Sequence, residues 1–281
     1  MRARWMVVGL TLWAASWQLA FGWGQEGHSI VAEIAQRRLT PQAQAAVDAI
    51  LGKGHSLASV ASWADDQRAS HPDSYDWHFV DIPIADTTYD PARECKPSPR
   101  GDCTIAALAR LRVQMLCGNG AAKLDALRFI VHLIGDLHQP MHTVDEARGG
   151  NDIAVKVTFK GITCFKNCEQ DDNFHRVWDS TLLQRLAFDW GADVDRIEAG
   201  FLKSPEATDP AATAGTPTDW LLSTHAVAQG VWAAKPANNV LDDAYLKAQL
   251  PILDKQLGLG GLRLAAYLNA AYAAPAACPA P

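Results

Sequence analysis

Two pairs of histidine and aspartate recur at the same spacing in this chain. His132 precedes Asp136 by four residues, His175 precedes Asp179 by four, and His142 follows the first pair. On an α-helix, residues i and i+4 lie about 40° apart around the axis, so both side chains of a pair leave the same face. Imidazoles and carboxylates held in this way are ligands that Zn²⁺ takes in proteins. One such pair is also typical of a hydrogen bond on a helix surface, but the repetition favours a metal cluster.

Two segments nearer the N-terminus add candidate groups. SWADDQR (62–68) carries two adjacent carboxylates, of which Asp65 lies three residues before Arg68. WHFVD (77–81) places His78 beside Phe79, with Asp81 on the same side as Phe79 if the backbone is extended. An Asp-Asp pair is usually a solvated helix face, so these residues gain interest only because the other ligands exist.

A secretory leader precedes Trp23. Arg2 and Arg4 are followed by an apolar run, and Ala20 and Gly22 stand at the −3 and −1 positions of a signal-peptidase site. Cleavage of residues 1–22 would make Trp23 the first residue, and a free α-amino group beside its own carbonyl can chelate a metal. The alternative is that Trp is incidental at this position. We expect a signal peptide at 1–22, a catalytic domain at 23–273 and a Pro/Ala-rich tail at 274–281.

Charge and hydropathy exclude two classes of protein. The net charge is −6, and loss of Arg2 and Arg4 with the leader would lower it to −8, which disfavours a lysine-rich surface for nucleic acid but leaves room for bound cations. No second apolar run is long enough to span a membrane.

Six cysteines behind a leader indicate disulfides in an oxidising compartment. Spacing favours Cys164 with Cys168 and Cys95 with Cys103, which leaves Cys117 and Cys278, although other pairings are open. The first pair could also be half of a zinc site, but no second half follows. No Asn-x-Ser/Thr sequon occurs, which suits a secreted or periplasmic bacterial enzyme.

The elements that position these residues are mainly helical by pattern. Apolar residues recur at helical spacing, Thr40-Pro41 provides an N-cap followed by proline, and Pro140 ends a helix. One strand alternates over 151–159, and Gly161 lets the chain turn back. We expect a single all-α domain with a small β-hairpin. The predicted helices are 27–39, 41–51, 57–68, 121–139, 171–186, 193–202, 216–232, 242–257 and 261–272.

An ordered set of motifs resembles a known family, the zinc-dependent single-strand-specific nucleases and 3′-nucleotidases of fungi, plants and bacteria. Any one motif is weak, but the order is specific, and GGLRLAAYLN near the C-terminus is similar to the family's last helix. The motifs are WGQEGH (23–28), SWADDQR (62–68), WHFVDIP (77–83), HLIGDLHQPMH (132–142), GGND (149–152) and FHRVWD (174–179).

The resemblance implies three zinc ions. One would be held by Asp65, His78, His132 and Asp136. A second, bridged to the first by Asp136, would take His28 and the amino and carbonyl groups of Trp23. The third would take His142, His175 and Asp179.

The resemblance also implies the reaction and its substrates. A hydroxide between two zinc ions would attack phosphorus, with Arg68 stabilising the phosphoryl oxygens. Phe79 would stack on a base, and Asp81 and Asn151 would bond its edge. The expected substrates are single-stranded RNA and DNA and 3′-mononucleotides. We expect the enzyme to be a monomer. Arg148 is also expected to contact the substrate at the base pocket.

The chain departs from the family pattern in three places. Phe174 replaces the usual leucine beside a ligand, and residues 164–172 look like an inserted loop that could alter substrate access. Arg148 stands where the family usually has a small apolar residue, which leaves base preference open.

Two other protein classes are alternatives to a nuclease, and four further histidines lie outside the expected ligand set. Zinc-dependent phospholipase C has the same fold, but its last pair is usually His-x-x-x-Glu; a non-catalytic zinc protein would not need Arg68. His138 lies about 200° from Asp136 around the helix, so it should stand behind the ligands. The remaining three have no partners in the sequence and are expected at the surface or as caps: His55, His71 and His225.

Overall fold

The fold is mainly helical, as expected. A computed structural model describes residues 23–274 and Cys278; the expected signal peptide and most of the expected tail lie outside these residues. The described α-helices are α1 (Gln25–Gln36), α2 (Pro41–Leu51), α3 (Trp63–Asp66), α4 (Pro91–Glu94), α5 (Thr104–Cys117), α6 (Gly120–Asp136), α7 (Phe174–Arg176), α8 (Leu182–Leu186), α9 (Trp190–Ala199), α10 (Pro205–Thr208), α11 (Pro217–Ala233) and α12 (Asp243–Tyr272).

Short tight helices connect several of these elements. The 3₁₀ segments are Ala58–Val60, Pro72–His78, Pro140–Thr143, Phe201–Lys203 and Pro210–Ala212, and a π-helical turn spans Val177–Thr181. The capping chemistry follows the sequence: the Thr40 side chain accepts from Ala43 N, and Thr216 with Asp219 forms a capping box.

The predicted hairpin is part of a three-stranded sheet. Strand β1 (Ala154–Val157) pairs antiparallel with β2 (Gln170–Asn173) and parallel with β3 (Val240–Leu241), in the order β2-β1-β3. The third strand has only two residues, which is too short for an alternating pattern to predict it. Residues 171–173, predicted as helical, belong to β2, and the helix begins at Phe174, capped by the Asn173 side chain.

Two further helix predictions are wrong in detail. The predicted helix 57–68 is interrupted, because the Ala61 carbonyl accepts a hydrogen bond from His132 Nδ1 at 2.8 Å instead of continuing a helical ladder. The predicted break between 257 and 261 is absent: α12 runs through it. A side-chain carbon at Gly261 would lie 2.3 Å from Ile34 Cγ2, so glycine there serves close packing against α1 rather than termination. The pattern analysis also omitted α5.

Helix α6 runs through the core beside α1 and α12. Its C-terminal half is buried throughout from Phe129 to Asp136, and α1 is buried from Gly27 to Ala32. These two helices therefore fix the metal-ligand candidates at the centre of the domain. Among the described residues, no helix combines the length and apolar character needed to cross a membrane.

Three disulfides join the described cysteines in the favoured pairs. Cys95 is bonded to Cys103, Cys164 to Cys168 and Cys117 to Cys278. The last bond ties the C-terminal end of the chain to the end of α5.

Candidate metal centre and catalytic cleft

Asp136 is the centre of a buried group of imidazoles. Its Oδ2 lies 3.0 Å from His78 Nδ1 and 3.1 Å from His132 Nε2, and its Oδ1 lies 3.4 Å from His28 Nε2. All four residues are at most 1% exposed. His28 comes from α1, His78 from the 3₁₀ segment Pro72–His78, and the other two from α6, so three elements far apart in sequence converge here.

Asp65 closes this group from α3. Its Oδ1 lies 3.5 Å from His132 Nε2 and 3.7 Å from His78 Nδ1. The same oxygen is 2.7 Å from a guanidinium nitrogen of Arg68, and both side chains are only 7% exposed. The short helix α3 thus presents a carboxylate to the imidazoles, and the turn that follows it carries Arg68 beside that carboxylate.

A separate group contains His142, His175 and Asp179. His142 Nε2 lies 3.7 Å from Asp179 Oδ1, and His175 Nε2 lies 3.4 Å from Asp179 Oδ2. The π-helical turn carries Asp179, and Gln139 donates a hydrogen bond to its carboxylate. Single π-turns inside helices occur often at functional sites.

Backbone carbonyls orient three of the imidazoles. The Nδ1 atom of His132 donates to Ala61 O, that of His142 to His78 O and that of His175 to Gly149 O, at 2.7–2.8 Å. A ring that donates from Nδ1 keeps the lone pair on Nε2 when neutral. The three Nε2 atoms face the clusters, which is the arrangement that a metal-binding histidine requires.

The donor set fits metal ions. Ligand-type atoms lie within 4.8 Å of one another in three groups of described residues: His28, His132 and Asp136; Asp65, His78 and His132; and His142, His175 and Asp179. Buried His28 Nδ1, His142 Nε2 and His175 Nε2 have no hydrogen-bond partner among the described residues. Buried polar atoms without partners are costly, and a bound cation would satisfy those aimed into the clusters. The mixture of imidazole and carboxylate suits zinc.

His132 belongs to two of these groups. The resemblance had placed it with Asp65, His78 and Asp136 alone, whereas the structure puts its Nε2 within reach of both halves of the cluster. Its ring also stacks on His28, with ring centroids 3.8 Å apart.

Trp23 lies beside the His28 side of the cluster. Its side chain is fully buried, and a carbon added at Gly135 would come within 2.8 Å of His28 Nδ1 and 3.8 Å of Trp23 Cδ1. Gly24 N donates to Asp179 O at 2.7 Å, which holds the segment after Trp23 near the second group of ligands. The Trp23 side chain is therefore packed beside His28.

Charge within the first cluster is balanced by shared protons. Burial lowers the pKa of His132, but the carboxylates of Asp136 and Asp65 outweigh burial and raise it to about 10. Burial would raise the pKa of Asp136, yet the His132 and His142 imidazoles hold it well below its usual range. A cation binding here would replace the proton on His132, so metal binding should release protons.

The group around Asp136 and the group of His142, His175 and Asp179 open onto one cleft of about 770 Å³. The resemblance-derived residues Arg68, Phe79, Asp81, Arg148 and Asn151 all line it, together with three of the histidines. The structure therefore brings every expected substrate-contacting residue to the same cavity as the ligand candidates.

A left-handed turn shapes the floor of this cleft. Residues 147–150 all have positive φ, including the non-glycine residues Ala147 and Arg148. Gly149 O accepts the His175 hydrogen bond, and a carbon at Gly149 would lie 2.4 Å from Met141 O, so only glycine fits. The turn places the Arg148 carbonyl where the Asn151 side chain donates to it at 2.9 Å.

Asp81 lines the cleft, and the pKa of its carboxyl is raised above the usual value for aspartate. Desolvation by the surrounding protein, followed by the charge of Asp145, raises its pKa to about 7, with Asp76 also raising it and His142 and Arg100 lowering it. Its charge state therefore changes near neutral pH, unlike that of an ordinary aspartate.

The structure contradicts one further sequence expectation, gives no support to a second and agrees with a third. His225, expected at the surface, is buried, and its ring nitrogens lie 2.7 Å from Thr143 O and 3.1 Å from Asp86 O. Residues 164–172 do not line the cleft, so the suggested effect of this loop on access has no support there. His138 is buried behind the ligands, with Nδ1 bonded to Ile134 O, as expected.

Several cleft residues were not found from the sequence. Tyr75, Lys96 and Arg100 also line the cleft, and the Tyr75 ring lies edge-on to Phe79, with ring centroids 6.4 Å apart. They come from the proline-rich stretch and from the segment before Trp77, where no spacing signal distinguishes them from surface residues.

Comparison with known proteins agrees with this geometry. The family model described as S1/P1 nuclease matches residues 23–273. The chain belongs to the S1/P1 nuclease family. It is 32% identical to nuclease P1 of Penicillium citrinum (88% of this chain, 97% of that protein) and 29% identical to nuclease S1 of Aspergillus oryzae (90% and 92%). Endonuclease 2 of Arabidopsis thaliana is 30% identical, covering 88% of this chain and 90% of its own length.

Family membership gives the enzyme class. The protein is a nuclease, a hydrolase of phosphodiester bonds, and its substrates are nucleic acids. The match begins at Trp23, the residue from which the expected catalytic domain starts.

Proposed function

We propose that this protein is a secreted zinc-dependent endonuclease that hydrolyses single-stranded RNA and DNA to 5′-phosphate products and removes phosphate from 3′-mononucleotides. The observation that carries the proposal is the opening of both His/Asp groups onto one cleft that also contains Arg68 and a base-sized aromatic, Phe79. Relatives named nuclease P1, nuclease S1 and endonuclease support the same reading.

Three zinc ions are the proposed cofactors. Asp65, His78, His132 and Asp136 would hold the first, and His142, His175 and Asp179 the third. Asp136 would be shared with the second ion, whose other ligands are His28 and the amino and carbonyl groups of Trp23. The buried nitrogens without partners support this assignment. The amino ligand requires cleavage after residue 22, which lies outside the described residues.

The chain's own residues divide the remaining work. Bound zinc would supply an acidified water molecule and neutralise charge on the phosphate. Arg68, held by Asp65 at 2.7 Å, would donate to the phosphoryl oxygens as negative charge grows on them. Phe79 would stack on an unpaired base, and Asp81, Asn151 and Arg148 would contact its edge. A base inside a duplex cannot enter such a pocket, which favours single strands.

We also propose a secreted or periplasmic monomer with a leader at 1–22, a catalytic domain at 23–273 and a tail at 274–281. Three disulfides among the described cysteines support an oxidising compartment. The match to the nuclease family favours this function over a phospholipase C or a non-catalytic zinc protein.

Metal analysis combined with an activity assay tests the proposal. Correctly processed protein should contain close to three zinc ions and cleave single-stranded DNA. Asp136→Asn should lose both zinc and activity, whereas Asp66→Asn, which removes the exposed carboxylate next to Asp65, should keep both. Fewer than two zinc ions in the processed protein, or cleavage of phosphatidylcholine without nucleic-acid cleavage, would overturn the proposal.

The N-terminal ligand has its own test. Protein that retains one extra alanine before Trp23 should fold but bind one zinc ion fewer, because its amino group is displaced from the site. Full zinc content in the extended protein would exclude Trp23 as a ligand.

A further inference from the structure

Two cationic side chains that line the cleft, Lys96 and Arg100, take no part in the proposed chemistry at the clusters. The lining also contains carboxylates, one of which, Asp76, pairs with Arg100. Lys96 and Arg100 both belong to the segment closed by the Cys95–Cys103 disulfide. Cationic groups therefore reach the cleft from a segment separate from those that carry the metal-ligand candidates.

Arg100 is held in place by several contacts. Its guanidinium carbon lies 4.0 Å from the centre of the Tyr75 ring, and a guanidinium nitrogen lies 2.8 Å from Asp76 Oδ1. Asp76 N donates to Arg100 O at 2.9 Å, which fastens the backbone as well. The side chain is still 59% exposed, so most of its five N–H donors remain available to a ligand.

The turn that carries Arg100 is built for this position. Ser98 and Gly101 exchange backbone hydrogen bonds at 2.7 and 3.1 Å, and Gly101 has φ +114°. A side-chain carbon at Gly101 would lie 2.7 Å from Asp73 O and from Trp77 Cδ1. The turn therefore packs directly on the segment that supplies His78, and Arg100 is fixed relative to the metal-ligand candidates.

The Tyr75 ring contacts both Arg100 and the proposed catalytic residue Arg68. The guanidinium carbon of Arg68 lies 5.4 Å from the Tyr75 ring centre, against 4.0 Å for Arg100. Both guanidinium groups thus contact the same ring. The sum of the two distances is the upper limit of the separation between the two guanidinium carbons. This upper limit is compatible with contacts to two successive phosphates of one strand, with Arg68 on the scissile phosphate.

We propose that Arg100, assisted by Lys96, binds the phosphate next to the scissile one and thereby makes the enzyme prefer oligonucleotides over mononucleotides. The inference rests on the proposed function. Guanidinium groups bind phosphate through paired N–H donors, which is why a fixed arginine, rather than a mobile one, gives selectivity. A 3′-mononucleotide has only the scissile phosphate and gains nothing from this subsite.

The test compares two substrates at fixed salt. For the zinc-loaded enzyme, the ratio of kcat/KM on a short single-stranded oligodeoxynucleotide to kcat/KM on a 3′-mononucleotide should fall about tenfold in Arg100→Gln, the loss expected for one charge-assisted contact. The salt dependence of log(kcat/KM) on the oligonucleotide should weaken by about 0.7, the value for one phosphate contact on a single strand.

Controls separate local binding from net charge and from misfolding. Lys247→Gln removes an equal charge from the exposed face of α12, outside the cleft, so its substrate ratio should match that of the unsubstituted enzyme. Lys96→Gln, which breaks no ion pair recorded among the described residues, should lower the ratio in the same direction but less. An unchanged ratio in both Arg100→Gln and Lys96→Gln, or an equal fall in Lys247→Gln, would overturn the inference. Failure of the unsubstituted enzyme on both substrates would instead contradict the proposed function.

Discussion

Arg68 is placed to stabilise negative charge on a phosphate bound in the cleft. It is only 7% exposed, lies against Asp65 and Tyr75, and still lines the cleft. A buried, fixed guanidinium needs no reorganisation when negative charge develops, and this preorganisation is the usual source of electrostatic catalysis.

Replacement of Arg68 should therefore lower turnover without removing metal. We expect Arg68→Ala to reduce kcat about a hundredfold, or ~3 kcal/mol of transition-state stabilisation, while zinc content stays constant because arginine is not a ligand. The checks are steady-state kinetics on single-stranded DNA and elemental analysis. Loss of zinc in the variant would mean that Arg68 acts by holding Asp65, and full activity would exclude a catalytic role.

Asp81 should make base preference depend on pH. With its pKa raised to about 7, the carboxyl is mainly neutral below that pH and ionised above it. An ionised carboxylate only accepts hydrogen bonds, so it favours a base edge that presents N–H groups, such as that of guanine. Bound zinc nearby would move the midpoint downward but would not reverse the direction.

Inhibition by free nucleosides measures this effect without a phosphate contribution. The ratio of the inhibition constants of adenosine and guanosine should rise with pH through the Asp81 titration, and Asp81→Asn should give a flat profile. The same rise in the Asp81→Asn variant would assign the titration to another group, and its absence in both proteins would remove Asp81 from base recognition.

At the scale of elements, close helix packing depends on particular glycines. In α12, a carbon at Gly261 would lie 2.3 Å from Ile34 Cγ2 and 3.1 Å from Val31 O on α1. In α11, a carbon at Gly230 would meet nothing within 4 Å. The two positions share a helical backbone and differ in the space around them.

Alanine substitution should therefore have opposite effects at these positions. Gly261→Ala should lower the free energy of unfolding by roughly 1–3 kcal/mol, because α1 and α12 must separate. Gly230→Ala should raise it by about 0.5–1 kcal/mol, because alanine loses less backbone entropy in a helix. Urea unfolding followed by circular dichroism measures both. A stabilising Gly261→Ala would show that the helices adjust at no cost.

The elements also show what could be read from the sequence. The His132/Asp136 helix was predicted because its pattern is long and periodic, and the motif order pointed to the eight histidines and aspartates that the structure brings into groups. The broken helix at 57–68 could not be predicted, because the Ala61 carbonyl is diverted to His132, a residue 71 positions away. For the same reason His225 was misplaced: both its partners are backbone carbonyls of distant segments. Arg100 was missed because its position depends on the turn at Gly101.

At the scale of the whole molecule, the disulfides differ greatly in the length of chain they close. Cys117 and Cys278 are separated by 161 residues, and Cys164 and Cys168 by only 4. The long closure joins the chain's C-terminal end to α5, so it constrains most of the domain that contains the cleft. The short closure constrains a loop that does not line the cleft.

Removal of these bonds should reveal that difference in stability. In the chain-entropy model, a closed loop of about 160 residues stabilises the fold by about 5 kcal/mol and one of about 5 residues by about 2 kcal/mol, because the longer closure restricts the unfolded chain more. We therefore expect Cys117→Ser with Cys278→Ser to lower the free energy of unfolding about twice as much as Cys164→Ser with Cys168→Ser. Urea unfolding of the two double variants, each with the other disulfides intact, measures this. Because neither bond contacts the ligand candidates, both variants should keep their zinc while folded. Equal losses of stability would indicate that native contacts around each bond, rather than loop closure, determine its contribution.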